Sequence, residues 1–232
     1  YDGRTGTLSP GQARLALDLH RTADTPPAAE SILLSAEARP TERLPMLRVV
    51  GQIAQTYIVA EGPGGMYLID QHAAHERIRY EALQEQRAAS KVPSQELLNP
   101  PVVQVSPQQS ALLEDHLSDL DAYGFDISLF GHNAFLIKAV PNGLPPDLIS
   151  IAVMEMLDAA SEGGSGFSWA DQALMTLACH TAVRGGQMLT AQEMRDLVQQ
   201  LERTALPHTC PHGRPTMIHV SQNELERYFG RT

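Results

Sequence analysis

The sequence is short of the features that mark secreted, membrane-spanning and DNA-gripping proteins. Its 232 residues hold two cysteines, Cys179 and Cys210, too few for a disulfide-built scaffold. No stretch approaches the roughly 20 continuous apolar residues that span a bilayer. The first twenty residues carry charges where a secretory signal would be apolar. Positive charge is scarce: 17 Lys plus Arg against 27 Asp plus Glu leave a net charge of −10. Lys and Arg supply most non-specific affinity for DNA by neutralising phosphate. Any DNA-directed function must therefore borrow its basic surface from elsewhere. No Walker or G-x-G-x-x-G pattern accompanies Gly185-Gly186, which reads as a helix stop and not as a phosphate loop. The chain begins with Tyr1 and not Met, which is expected of a piece of a longer protein.

What is present describes a folded chain. Hydrophobic residues make up 43% and charged residues 19%, enough apolar surface to bury a core. Residues 1–43 carry Thr25-Pro26-Pro27 and Arg39-Pro40-Thr41 and read as a linker. Beyond them, strands are expected at 49–53, 57–59 and 66–69, the last ending at Asp70. A helix is expected over 73–88. A strand at 102–105, a helix from Ser106-Pro107 through Leu120, a hairpin of 125–130 with 134–139, and a helix over 149–157 follow. Gly163-Gly164-Ser165-Gly166 reads as a flexible loop. Ser168 with Asp171, and Thr190 with Glu193, are capping signals for helices over 170–183 and from 191. The second of these carries the apolar stripe Met194, Leu197, Val198 and Leu201. A loop at 210–215, a strand at 217–220 and a helix over 224–229 finish the chain. The order of elements predicts a mixed α+β fold.

The residues able to do chemistry fall in three places. Asp70-Gln71-His72-Ala73-Ala74-His75-Glu76 puts a carboxylate and an imidazole where a strand meets a helix. His72 and Glu76 are four residues apart and share a helix face, which suits two ligands of one metal. Glu81, nine residues from His72, falls on the opposite face and reads as supporting. His75-Glu76 is not a zinc-protease motif, because the second histidine would have to stand at Arg79. Cys210-Pro211-His212 pairs a thiolate with an imidazole, a combination that favours zinc. Cys179 lies in an apolar helix, where cysteine commonly just packs. His180 is about 100° further round that helix, so both cannot face one ion. Soft ligands suit zinc, whereas the hard oxygen of Asp70 suits Mn²⁺ or Mg²⁺. Arg77, Arg79 and Arg87 read as solvating their helix, and Trp169 as a core anchor. Gln95 to Pro100 is either an ordinary connection or a short docking peptide.

Four segments carry a family resemblance. Asp70-Gln71-His72-Ala73-Ala74-His75-Glu76-Arg77-Ile78-Arg79-Tyr80-Glu81 resembles the D-Q-H-A-x-x-E-x-x-x-x-E motif of the MutL mismatch-repair endonucleases. Ala178-Cys179-His180-Thr181-Ala182-Val183 resembles their second motif. Cys210-Pro211-His212-Gly213-Arg214-Pro215 matches their C-P-H-G-R-P, and Phe229-Gly230-Arg231 resembles their terminal F-x-R. The resemblance covers residues 44–232. It implies the C-terminal domain of a bacterial MutL, a homodimer that nicks double-stranded DNA in the cytoplasm at the nucleoid. Such a domain works with MutS and the replication sliding clamp, touches no membrane, and leaves ATP to an absent N-terminal domain.

It further implies that Asp70, His72 and Glu76 are catalytic and that Asp70 binds the hydrolytic Mn²⁺ or Mg²⁺. His72, Glu76, Cys179, Cys210 and His212 would hold Zn²⁺, with Gln71, Glu81, Arg214, Phe229 and Arg231 in support. Gln95, Leu97, Leu98 and Pro100 would dock the clamp, although the family often has an aliphatic residue where Asn99 stands. Residues 44–93 and 167–232 would form a dimerisation subdomain with a small sheet and helices. Residues 94–166 would form an inserted external α/β subdomain. Two rivals stand beside this reading. One is a non-catalytic dimerisation scaffold with a structural zinc, and the other is an unrelated zinc hydrolase of small molecules.

Overall fold

Alternating apolar residues punctuated by tight turns build a first antiparallel sheet. The computed structural model describes residues 43–89, 92–161, 168–182 and 186–231. The linker expected over 1–43, Arg43 apart, and the glycine loop expected at 163–166 lie outside the described residues. Strands β1 (Arg48–Ile53), β2 (Tyr57–Gly62), β3 (Gly65–Asp70) and β8 (Met217–Ser221) lie in the order β1-β2-β3-β8. The pairings Ile58 with Ile69, and Ile69 with Met217, define an inner face on which Ile58, Ala60 and Ile69 are fully buried. The pairings of Val59 with Leu68, Leu68 with Ile218, and Met66 with Val220 define an outer face whose side chains are half-buried. Gly65 is required at the start of β3, since a Cβ there would lie 2.1 Å from the Val220 carbonyl oxygen.

Helix α1 (Gln71–Ala89) leaves β3 without a loop. Its Ala74 and Ile78 cover the inner face together with Met194, Leu197, Val198 and Leu201 of a second helix, α6 (Ala191–Leu201). The Thr190–Glu193 capping box opens α6. A short helix, α7 (Gln222–Tyr228), follows β8.

A second sheet centres on β7 (Ala134–Pro141). It is paired by β6 (Asp126–Gly131), by β5 (Val102–Gln104) and by β4 (Ser94–Glu96). Helices α2 (Pro107–Asp115), α3 (Leu117–Ala122), α4 (Ile149–Ser161) and α5 (Trp169–Thr181) pack beside it. Leu113, Leu120, Tyr123, Phe125, Phe135, Ile137 and Met156 form this core, and Leu83 of α1 with Leu174 and Leu177 of α5 join it. These helices and two antiparallel sheets make the fold α+β. No helix of the described residues is long and apolar enough to cross a membrane.

Two elements differ from expectation. The single helix expected from Ser106 to Leu120 is broken at His116. The His116 ring stacks on Trp169 with centroids 4.5 Å apart, and its Nδ1 lies 2.9 Å from Asp119 Oδ2. These contacts hold the residue out of helical geometry. β4 was not expected, because Ser94-Gln95-Glu96 shows no apolar alternation; its backbone pairs with Ala139, Val140 and Pro141.

Candidate metal centre

Asp70 ends β3 and opens α1. Its Oδ1 accepts from the backbone N–H groups of His72 (2.9 Å) and Ala73 (3.0 Å), satisfying two donors of the first helical turn. Its own N–H donates to the Thr216 carbonyl at 2.9 Å, which ties Asp70 to the exit of the 210–215 loop. That loop is closed by Cys210 N–H to the Arg214 carbonyl (2.8 Å) and by Gly213 N–H to the Cys210 carbonyl (2.9 Å). Gly213, at φ +81°, makes the turn possible.

Helix α1 also carries the loop from its flank. Glu81 accepts the N–H groups of Ala205 (2.7 Å) and Leu206 (3.1 Å) and lies 3.6 Å from Arg77 Nη1. Arg77 Nε donates to the Thr209 carbonyl at 2.6 Å. Arg77 is therefore buried and does not solvate the helix.

The cluster converges on Glu76, which is fully buried. His72 Nε2 lies 3.1 Å from Glu76 Oε1, and Cys179 Sγ donates to the same oxygen at 3.0 Å. Arg214 Nη2 donates to Glu76 Oε2 at 3.1 Å, and His212 Nδ1 lies 3.6 Å from that oxygen. Cys179 Sγ is 3.7 Å from His212 Nε2, and Cys210 Sγ is 4.0 Å from His212 Nδ1. Ligand atoms of Glu76, Cys179 and His212 all lie within 4.8 Å of one another. His180 points elsewhere, with Nε2 2.7 Å from Glu155 Oε2. Of that adjacent pair, Cys179 is the one that meets Glu76.

Burial would raise the Glu76 carboxyl. Hydrogen bonds from His212, His72 and Cys179 outweigh burial and hold it below the usual carboxylate range. Burial, followed by the Glu76 carboxylate, pushes the Cys179 thiol well above its usual value. A metal ion would have to displace that proton. Glu76, Cys179 and His212 form a possible metal-binding group, and His72 and Cys210 flank it without joining all three. A thiol, an imidazole and a carboxylate are donors that zinc accepts.

Gln71 is expected in support from the resemblance alone, and the sequence carries no signal for the partners that brace it behind Asp70. Gln71 is fully buried, and its amide donates to the carbonyls of Gln55 (3.0 Å) and Gln187 (3.1 Å). Gln52 Nε2 donates to Gln71 Oε1 (2.5 Å) and to the Gln187 carbonyl (2.9 Å). The β1–β2 turn that it pins holds Ala54 and Gln55 at φ +49° and +52°, a conformation that non-glycine residues adopt at a cost. The remaining expected residues lie apart from the cluster. Arg231 sits over the Phe229 ring at 6.0 Å, and neither bonds to the cluster among the described residues. Gln95 is on edge strand β4, Leu97 is half-buried, Leu98 is 99% exposed, and Pro100 is exposed.

Comparison with known proteins follows the same lines. A family model described as the MutL C terminal dimerisation domain matches residues 50–189. A DNA mismatch repair protein MutL of Acidiphilium cryptum is 37% identical over 215 residues, covering 91% of this chain and 37% of the relative. The protein of that name from Methanoculleus marisnigri is 39% identical over 193 residues, covering 81% and 32%. That of Syntrophobacter fumaroxidans is 41% identical over 191 residues, covering 80% and 28%. The chain spans about a third of the length of these curated relatives.

Proposed function

We propose, because this chain belongs to the family of MutL C-terminal dimerisation domains, that it is a metal-dependent DNA nicking endonuclease and the homodimerisation domain of a mismatch-repair protein. The observation that carries this reading is the convergence of Glu76, Cys179 and His212, from three separate segments, within 4.8 Å. It lies beside a carboxylate fixed at a strand end. His72, Glu76, Cys179, Cys210 and His212 hold zinc, and Asp70 binds Mn²⁺ or Mg²⁺. When bound, the hydrolytic ion supplies Lewis acidity toward the phosphodiester and a hydroxide at neutral pH. The chain's own part is to place the groups. The N–H groups of His72 and Ala73 orient the Asp70 carboxylate, and the Gln52–Gln71 amide pair braces the residue that follows it. Arg214, bonded to Glu76 yet 60% exposed in its side chain, orients the phosphate.

Partners follow from surfaces. Val59, Leu68, Met66, Ile218 and Val220 make the outer face of the first sheet apolar, which supports homodimerisation there. The exposed Leu98, flanked by Gln95 and Pro100, supports docking on the sliding clamp. Double-stranded DNA and MutS are the other partners, and the ATPase half supplies the basic surface that a chain of net charge −10 lacks.

A second reading, a dimerisation scaffold with a structural zinc, is favoured by one observation: Asp70 Oδ1 is already spent on capping α1. A supercoiled-plasmid nicking assay with Mn²⁺ separates the two. The native chain is compared with Asp70→Asn, which keeps a capping oxygen, and zinc is measured on the same samples. Nicking lost in the variant with zinc retained in both supports the endonuclease. Zinc without nicking in either chain, even with the ATPase half restored, favours the scaffold. Absence of zinc overturns the ligand assignment.

A further inference from the structure

Among the described residues, Arg79 is a cation with no carboxylate partner near the candidate centre. It lies seven residues after His72 on α1, two turns along the same face and about 10 Å away. Its Nε donates to Thr181 Oγ1 at 3.2 Å and its Nη2 to the Asn142 carbonyl at 3.2 Å. Both acceptors are neutral, and the Thr181 hydroxyl proton is itself given to the Leu177 carbonyl at 2.7 Å. No carboxylate among the described residues comes within ion-pair distance of Arg79. Arg77 with Glu81, Arg48 with Glu61 and Arg214 with Glu76 are matched, and arginines with no ion pair shown, such as Arg87, Arg195 and Arg227, are exposed. The shortage is not of anions, since the chain has 27 acidic residues against 17 basic ones. Half-buried, Arg79 has its ordinary value lowered by the loss of water alone. Desolvating a charge without a partner costs free energy. Such a group is maintained where an anion arrives from outside.

We propose that Arg79, about 10 Å along α1 from His72, binds a backbone phosphate of duplex DNA. The assignment rests on the endonuclease reading for its choice of ligand. A guanidinium fixed by Thr181 and Asn142 presents its remaining N–H groups in one plane, the geometry that phosphate oxygens accept.

The test is equilibrium binding, which needs no cleavage and so stays readable if the endonuclease reading fails. A fluorescent short duplex is titrated with the native chain, Arg79→Gln and Arg79→Lys across a salt series, with zinc content and Tm followed in parallel. Arg79→Gln is expected to bind about tenfold more weakly, with the slope of log affinity against log salt reduced by about one. Arg79→Lys keeps the charge and most of the slope. Zinc content is unchanged throughout. Native affinity and slope in Arg79→Gln would overturn the proposal, as would a native chain that fails to bind duplex at low salt. A lower Tm without weaker binding would make Arg79 a tie between α5 and the turn at Asn142, and also overturns it. Inorganic phosphate, read by thermal shift, is the last arm. A stabilisation lost in Arg79→Gln while duplex affinity stays native would assign the site to a free anion and not to DNA.

Discussion

Around β7, the aromatic side chains of Tyr123, Phe125 and Phe135 are sealed on one face of the sheet by helices, and the opposite face mixes Gln104, Ser128 and Lys138 with Leu136 and Val102. The first sheet is also covered on one face, but its outer face presents Val59, Leu68, Ile218 and Val220 side by side. The metal-ligand cluster draws on α1 at the end of that first sheet, on the 210–215 loop, and on Cys179 of α5, the helix that packs in the second core. One region holds the larger buried core, although Leu129 and Phe130 of β6 stay exposed. The other leaves an apolar face and a set of titratable groups for something else to complete.

Substitutions can sharpen or break that contrast. The largest effect is expected from Phe135→Ala, which empties a fully buried site and should cost about 3–5 kcal/mol in urea unfolding. A loss below about 1 kcal/mol would mean that the β7 core is not the stabilising region. Zinc removal should come next. Chelation withdraws about 4 kcal/mol of linkage if zinc stands a thousandfold above its Kd, read as a fall in Tm that Cys210→Ser reproduces and chelator no longer deepens. Leu68→Arg places a charge in the middle of the half-buried outer sheet face. Sedimentation equilibrium should then report a monomer with its zinc retained, and a persisting dimer would place the interface elsewhere.

Smaller effects concern the rim. Asp70→Ala should cost about 1 kcal/mol through the lost cap, while Asp70→Asn, which still caps, should cost close to nothing. Equal losses in both would mean that capping is not what Asp70 contributes to stability. The smallest effect is a pH dependence. Burial, with the charges of Arg79 and His72, lowers the His75 ring from 6.5 to about 4. The unfolded chain takes up that proton near 6.5 and the folded chain near 4, so stability is lost progressively as pH falls through that window. In metal-free protein, a plot of Tm against pH should flatten there on His75→Gln, and an unchanged slope would rule the residue out.

The elements that were legible in the sequence are those set by local chemistry. The β3-to-α1 junction at Asp70, the boxes at Ser168 and Thr190, and the stripe on α6 each follow from periodicity or capping within a few residues. β4 was not legible, because backbone pairing with β7 leaves no pattern in Ser94-Gln95-Glu96. Nor was the break at His116, which depends on Trp169, fifty-three positions later in the sequence. In the cluster, residue types pointed to zinc, but the choice of Cys179 over His180 depends on which side of α5 faces α1. Arginine spacing alone placed Arg77 and Arg79 in solvent. The 205–210 segment buries the first, and Thr181 and Asn142 half-bury the second. Gln71 was expected in support, but its acceptors, the Gln55 and Gln187 carbonyls, belong to segments distant in the chain and were not legible.

Asp70 stands at the positive end of α1, with one oxygen held by two amide protons. The helix dipole places roughly half an elementary charge there. It disfavours any cation that approaches that end of the helix. On the proposed reading, an ion bound by Asp70 would be held loosely and would trade with the surrounding solution, so its occupancy would follow the free divalent concentration.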